Sequence, residues 1–377
     1  MGVTHPILSP KRERRGTRQR REIRRSRDVP LRSRFGLQCF ALFAMLLAAC
    51  GGGSNATPPP APQPAPESNT QPRPQPKPRP PLPPSEYPIR VIAPAACALG
   101  GYVYVTGGYG HLDTLADREF VSRAYRYDPR ANIWERLPDM PRARCFHICI
   151  AAEGKVWLIG GIHQVEGKPG DVTIAEVDCY DPALERWTTP TSMPTPRNRL
   201  AGGAIANRIY AAGGMKLGEH LEDSDAVEVL DTSTMKWSNA ANLPKPCHGM
   251  GIAVVGEKLV SAGGSQNGGT WLYDSKADEW SDGAKLPGPI LFGAALAVDQ
   301  QVYLVGNRTR GGIPLLRYDV VQDEWETLAE KSIETHRMAA AAYEGKLYVI
   351  GGEAPKGGEL NRLSIYDPVT GKWKHSE

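Results

Sequence analysis

The sequence predicts an all-β chain whose last three-quarters fold as a six-bladed propeller of four-stranded antiparallel blades. Three observations predict it. Six Asp residues are each followed six positions later by Trp: Asp128/Trp134, Asp181/Trp187, Asp231/Trp237, Asp274/Trp280, Asp319/Trp325 and Asp367/Trp373. From each of the first five Trp it is 26 positions to a Gly that opens a Gly-Gly or Gly-Asn pair, at Gly160, Gly213, Gly263, Gly306 and Gly351. Successive Trp stand 43 to 53 residues apart, the period of a propeller blade rather than of a single layered domain.

Within a repeat, four short strand-like runs (a to d) follow one another. In the second repeat, Cys145–Ala151 and Val156–Ile159 are apolar and flank Glu153-Gly154, a tight hairpin turn. Ile174–Tyr180 follows, then a turn at Asp181-Pro182 and a last strand around Trp187. Gly after strand b allows positive φ and close backbone approach. Asn307 replaces the second Gly in the fifth repeat, and Asn tolerates the left-handed region best among residues with a side chain. The repeated Asp is suited to accept from backbone N–H groups two residues on. Trp is expected to close the apolar layer between neighbouring blades, so that Trp280→Ala would cost about 3–5 kcal/mol. Strand a is rich in small residues (Ala95-Ala96-Cys97-Ala98, Ala201-Gly202-Gly203-Ala204, Ala339 to Ala342), as strands crowded around an axis require.

The run Arg144…Trp157-Leu158-Ile159-Gly160-Gly161…Tyr180-Asp181-Pro182…Trp187, with its echoes, resembles the Kelch repeat. The resemblance covers residues 88–377 and implies a closed six-bladed propeller. It thins at Leu230, where Tyr is expected, at Leu259, in place of the strand-b aromatic, and at Asn307. Closure is expected to rest on packing of the last blade against the first, with Tyr87–Ile92 as an extra strand.

Three segments organise the chain: residues 1–49 as basic region and signal peptide, 50–87 as a lipidated Cys and Pro-rich linker, and 88–377 as the propeller. Residues 1–34 carry about +9 of charge, so the net +4 of the whole chain leaves the remainder acidic. The basic balance therefore gives no reason to expect nucleic-acid binding by the propeller. The apolar run Phe40 to Ala49 is too short to span a membrane and suits a signal-peptide core. Leu47-Ala48-Ala49-Cys50 before a Gly/Ser stretch resembles a bacterial lipobox, which implies a diacylglycerol on Cys50 and a place in the cell envelope. Residues 55–84 are Pro-rich and favour an extended spacer of about 3.1 Å per residue. Beyond Cys39 and Cys50, Cys97, Cys145, Cys149, Cys179 and Cys247 remain; no disulfide is assigned, and no Cys-x-x-Cys or His-x-x-x-His set suggests a metal.

Length variation among repeats is confined to the segment from the second Gly to the Asp, which runs 20, 20, 17, 10, 12 and 15 positions. These b–c loops should share one face with the d–a connections, and function concentrates on variable loops held by a rigid scaffold. Candidate ligand-binding residues on that face are Arg142, Arg144, Arg197, Arg199, His248, His336, Arg337 and Glu222. Glu219, His220, Asp223, Asp225, His111, Asp113 and His163 lie in the same loops. Arginines in the Arg144 and Arg197 position contact acidic peptides or sugars in some Kelch proteins, and guanidinium groups bind carboxylates bidentately. The expected function is a monomeric, cofactor-free, lipid-anchored module that binds a protein or glycan. The alternative is a sugar epimerase or mutarotase similar to the N-acetylneuraminate epimerases, with Glu219 or Glu222 as acid/base and Arg197 or Arg199 holding the carboxylate. Copper radical oxidases with Kelch-type propellers fit less well, because no paired Tyr and His set is visible.

Overall fold

The computed structural model describes residues 86–111, 118–165, 170–217, 221–265, 268–306, 314–331, 333 and 335–376. The leader, Cys50, the Pro-rich tract, Asp113, Glu219, His220 and Asn307 lie outside them. Every element among the described residues is a β-strand.

Repeats one to five each form a separate four-stranded antiparallel sheet. The second is typical: Ile148–Ala152 (a), Lys155–Ile159 (b), Glu176–Asp181 (c) and Arg186–Ser192 (d), paired a-b-c-d. Strand a therefore starts three residues later than the apolar run suggests. Cys145 stands outside it, in an isolated bridge to Ile162.

The sixth repeat differs from the expectation of six like blades. Its strands, Ala339–Tyr343, Lys346–Ile350, Leu360–Asp367 and Lys372–His375, belong to a seven-stranded sheet. The N-terminal strand Glu86–Ile92 pairs antiparallel with Leu360–Asp367 on one side and with Tyr109–His111 of the first repeat on the other. Closure thus rests on hydrogen bonds across the junction, not on packing alone. The reason is that an unpaired strand end would leave buried N–H and C=O groups without partners.

The repeated residues do what their chemistry suggests. All six Asp accept from two backbone N–H groups of the c–d turn: Asp128 from Arg130 (2.8 Å) and Ala131 (3.0 Å), Asp274 from Lys276 (2.9 Å) and Ala277 (3.2 Å), and the other four likewise. Each Trp stands opposite the aromatic position of strand c, with Tyr127/Trp134 and Tyr318/Trp325 ring centroids both 4.9 Å apart. In the third repeat that partner is Leu230. Three Trp reach the previous repeat: Nε1 of Trp187 donates to Pro138 O and that of Trp280 to Ala241 O, both at 2.9 Å, and that of Trp325 to Ala284 O at 3.2 Å. Burial of the Trp is unequal. Trp134 is 1% exposed, whereas Trp280 is only half-buried, so full large-to-small energetics do not apply to Trp280.

The glycine doublets admit the neighbouring repeat. A Cβ on Gly160 (φ 69°) would stand 2.5 Å from Arg197 O, and the N–H of Gly161 donates to that same carbonyl at 2.9 Å. Gly108, Gly214 and Gly264 donate in the same way to Arg144, Cys247 and Ile290, and Gly352 donates to Val91 at 2.9 Å. Small residues on strand a serve the axis: a Cβ on Gly202 would stand 2.8 Å from Ile148 Cδ1, and one on Gly251 would stand 2.8 Å from Ala295 Cβ.

Candidate functional site

Two residues beyond each of those five acceptor carbonyls, and again at Arg337 two beyond Thr335, lies a position that the sequence does not advertise. Ala93, Phe146, Arg199, Gly249, Phe292 and Arg337 all have φ between 52° and 65°. Each donates its N–H to the carbonyl of the equivalent residue in the preceding repeat. Phe146 donates to Ala93, Arg199 to Phe146, Gly249 to Arg199, Phe292 to Gly249, Arg337 to Phe292 and Ala93 to Arg337. The circuit closes on itself. For residues with a side chain the left-handed conformation costs about 1–2 kcal/mol each, and the inter-repeat bonds offset it.

Around this circuit the residue types run small-Phe-Arg, small-Phe-Arg, so that Phe146 opposes Phe292 and Arg199 opposes Arg337. The two Phe rings meet with centroids 6.2 Å apart. The Arg199 guanidinium carbon lies 4.6 Å from the Phe146 centroid, and that of Arg337 lies 5.1 Å from the Phe292 centroid. Aromatic faces attract such cations. Arg199 Nη1 also stands 3.0 Å from Met215 Sδ. Arg337 Nη1 pairs with Glu353 Oε2 at 3.0 Å, and its side chain stays 20% exposed. His336 Nε2 lies 3.2 Å from the same carboxylate oxygen.

His248 adjoins this cluster, its ring 5.8 Å from that of Phe292. Asp223 Oδ1 holds His248 Nδ1 at 2.7 Å, and Asp223 Oδ2 accepts from Ser265 Oγ at 2.5 Å. The Ser265 hydroxyl also accepts from His248 N at 3.0 Å. With Nδ1 tied to a carboxylate, Nε2 is the imidazole nitrogen left to exchange a proton.

The b–c loops rise beside the d–a connections, as expected from the antiparallel strand order. Bridges Cys145↔Ile162, Asn198↔Met215 and His336↔Glu353 join the two kinds of segment on one face. Three of the described loops carry small hairpins: Tyr109–His111 with Glu119–Phe120, Ile162–Gln164 with Asp171–Thr173, and Met215–Lys216 with Glu222–Asp223.

Not every predicted residue belongs to this face's open chemistry. Arg144 and Arg197 are both 0% exposed. Arg144 donates to Gly160 O at 3.1 Å and is ion-paired with the equally buried Asp178. Arg197 donates to Gly213 O (2.5 Å), Ala226 O (2.8 Å) and Ala211 O (3.2 Å) and pairs with Glu228 at 2.7 Å. Burial pulls the Arg144 guanidinium down to about 10, still protonated at neutral pH, and lowers that of Arg197 in the same direction. Both rivet strands of their own repeat, and neither can meet a ligand; a guanidinium can satisfy several carbonyls at once. Arg142 turns to Asp178 at 2.5 Å, away from the axial cluster. Glu222 is exposed on its hairpin, opposite Lys216. His163 is half-buried near Glu176, Arg144 and Arg142, and burial holds its imidazole below the usual range. Arg199, Arg337, His248 and His336 are the predicted residues that gather at the axis. The sequence does not single out Phe146 and Phe292; their two-residue offset from Arg144 and Ile290 is the signal it offers. Among the described residues no group of three potential metal ligands occurs.

The Kelch-repeats domain described as KLHDC2/KLHL20/DRC7 matches residues 93–307, more than half of the chain, and the Kelch motif matches residues 334–375. The chain belongs to the Kelch-repeat family. It is 26% identical to Kelch-like protein 25 of Xenopus tropicalis over 299 residues, which cover 78% of this chain and 42% of that protein. Beta-scruin of Limulus polyphemus is 28% identical over 283 residues, 72% of this chain and 26% of its own length. The chain thus spans less than half the length of these curated relatives. Among solved structures, that of YjhT superposes with a TM-score of 0.65 at 14% identity, covering 78% of this chain and 99% of the other. That likeness bears on the fold.

Proposed function

We propose that this Kelch chain is a binding module that takes an acidic ligand, a protein segment or a carboxylated glycan, on the face where Arg199 and Arg337 oppose each other. The supporting observation is the axial cluster: two guanidinium groups stacked on Phe146 and Phe292, on the face where b–c and d–a segments bridge. Guanidinium groups ordered by stacking lose less freedom when they engage a carboxylate. Glu353 already occupies one edge of Arg337, so a ligand carboxylate would share or displace that contact. We count the architecture as six blades, the sixth fused through the N-terminal strand to the first. The leader reading completes the proposal: a lipid on Cys50, a Pro-rich spacer and a bacterial envelope location.

The test probes arrays of acidic peptides and of uronate and sialylated glycans with the full chain and with its Arg199→Ala/Arg337→Ala variant. Binding that disappears in the variant at unchanged thermal stability supports the reading. Hits that the variant retains, or an empty array, oppose it.

A second reading, a sugar epimerase or mutarotase resembling N-acetylneuraminate epimerase, draws on one specific observation: the Asp223-held His248 beside Phe292, the ring on which Arg337 stacks. An oriented imidazole is a suitable proton shuttle for ring opening. Arg197 drops out of that scheme because it is buried. Anomer equilibration of N-acetylneuraminate followed by NMR, with and without protein, decides; unchanged rates remove this reading.

A further inference from the structure

Two thiols in the ring's interior stand apart from everything above. Cys97 lies on strand a of the first repeat (Ala95–Leu99), and Cys149 on strand a of the second (Ile148–Ala152). Their Sγ atoms are 3.3 Å apart, although 52 positions separate them in sequence. The side chains face each other between adjacent blades, among Tyr104, Tyr180, Val156 and Leu158. Among the described residues no third Cys, His, Asp or Glu joins them to make a metal site. No other pair of described thiols shows such a contact: Cys247 Sγ, for example, faces carbonyls at 3.7 to 3.9 Å.

We propose that Cys97 and Cys149 are a disulfide-forming pair that covalently joins the innermost strands of the first two blades. The sulfurs already touch, and a disulfide requires about 2.05 Å between them, a shift of roughly 1 Å that side-chain rotation and small strand movements supply. The oxidant is a low-molecular-weight or protein disulfide. One Cys thiol loses its proton, and the thiolate attacks a sulfur of that disulfide, expelling one thiolate. The second Cys then gives up its proton and attacks the mixed disulfide, expelling the other thiolate. Two electrons pass from the cysteine sulfurs to the external disulfide, and the two protons end on the released thiols. The Cys149 contact and then burial hold the Cys97 thiol well above its usual range, and both residues are less than 10% exposed. Exchange in the folded state is therefore slow, because the thiolate is the attacking form. The closed loop would stabilise the ring chiefly by restricting the unfolded chain.

The experiment incubates the full chain with oxidised glutathione to completion, alkylates it under denaturing conditions and maps its peptides without reduction. The expected result is a peptide pair joined through Cys97 and Cys149, two hydrogens lighter than its parts. A rise in thermal midpoint should accompany it and reverse with dithiothreitol. Cys97→Ser and Cys149→Ser should each abolish the linked peptide and the oxidant-dependent rise. Should either variant fail to fold, the wild-type map and its reversible midpoint shift still decide. Full alkylation of both cysteines after oxidant treatment, or linkage of either one to a different cysteine, overturns the proposal.

Discussion

Ala93 N–H donates to Arg337 O at 2.6 Å, joining the end of the N-terminal strand to the start of the sixth repeat. This bond completes the axial circuit, and the sheet pairing of Glu86–Ile92 with Leu360–Asp367 reinforces it from outside. The N-terminal strand is therefore a structural part of the ring. Tyr87 is fully buried against Trp134, centroid to centroid 5.1 Å.

Truncating that anchor should open the ring. Tyr87→Ala is expected to lower stability by about 3–5 kcal/mol, as for other buried aromatic truncations. Its buried hydroxyl meets no hydrogen-bond partner among the described residues, so Tyr87→Phe should be neutral or slightly stabilising. Urea denaturation of both variants checks the contrast.

The buried and the axial arginines should separate cleanly. Arg144→Ala strips buried Asp178 of one of its two arginines, with Arg142 and Thr189 still in contact, and leaves Gly160 O without that donor; it should lower stability by about 1–3 kcal/mol. Arg199→Ala, at a half-buried position stacked on Phe146, should change the denaturation midpoint little while removing ligand binding. Midpoints and binding measured on the same preparations distinguish the two roles.

Acid should weaken the fold through His147. It is buried, and Nε2 meets Thr106 Oγ1 at 2.9 Å. Burial first, and the nearby Arg144 charge second, hold its imidazole well below the ordinary value, so it is neutral when folded. The unfolded chain binds the proton near pH 6.5, so stability present above that pH is lost as pH falls toward the folded value. Denaturation midpoints compared at about pH 7.5 and about pH 5 should fall for wild type and fall less for His147→Gln.

The Trp positions should prove unequal despite their identical spacing. Trp134→Ala is expected to cost about 3–5 kcal/mol. Half-buried Trp280→Ala should cost less, losing partial burial and the bond to Ala241 O. Thermal unfolding of the two variants gives the order.

The repeat, the Asp-capped turns, the Gly doublets and the variable face were legible because each rests on a residue type with one strong local preference. The axial circuit was not. Five of its six members, Ala93, Phe146, Arg199, Phe292 and Arg337, adopt positive φ without Gly or Asn to announce it; inter-repeat bonding imposes the conformation. Arg144 and Arg197 misled for a related reason. A buried guanidinium satisfying Gly carbonyls and a ligand-binding one look alike in sequence, and only burial separates them from Arg199, two positions beyond Arg197.

Hydrogen–deuterium exchange of the full chain, with and without the strongest acidic peptide or glycan from the arrays, tests the central claim most directly. The account predicts added protection in the peptides spanning residues 197–199, 248–249, 290–292 and 335–337, and none at the a–b and c–d turns. Protection confined to those turns, or spread equally over both faces, would contradict it.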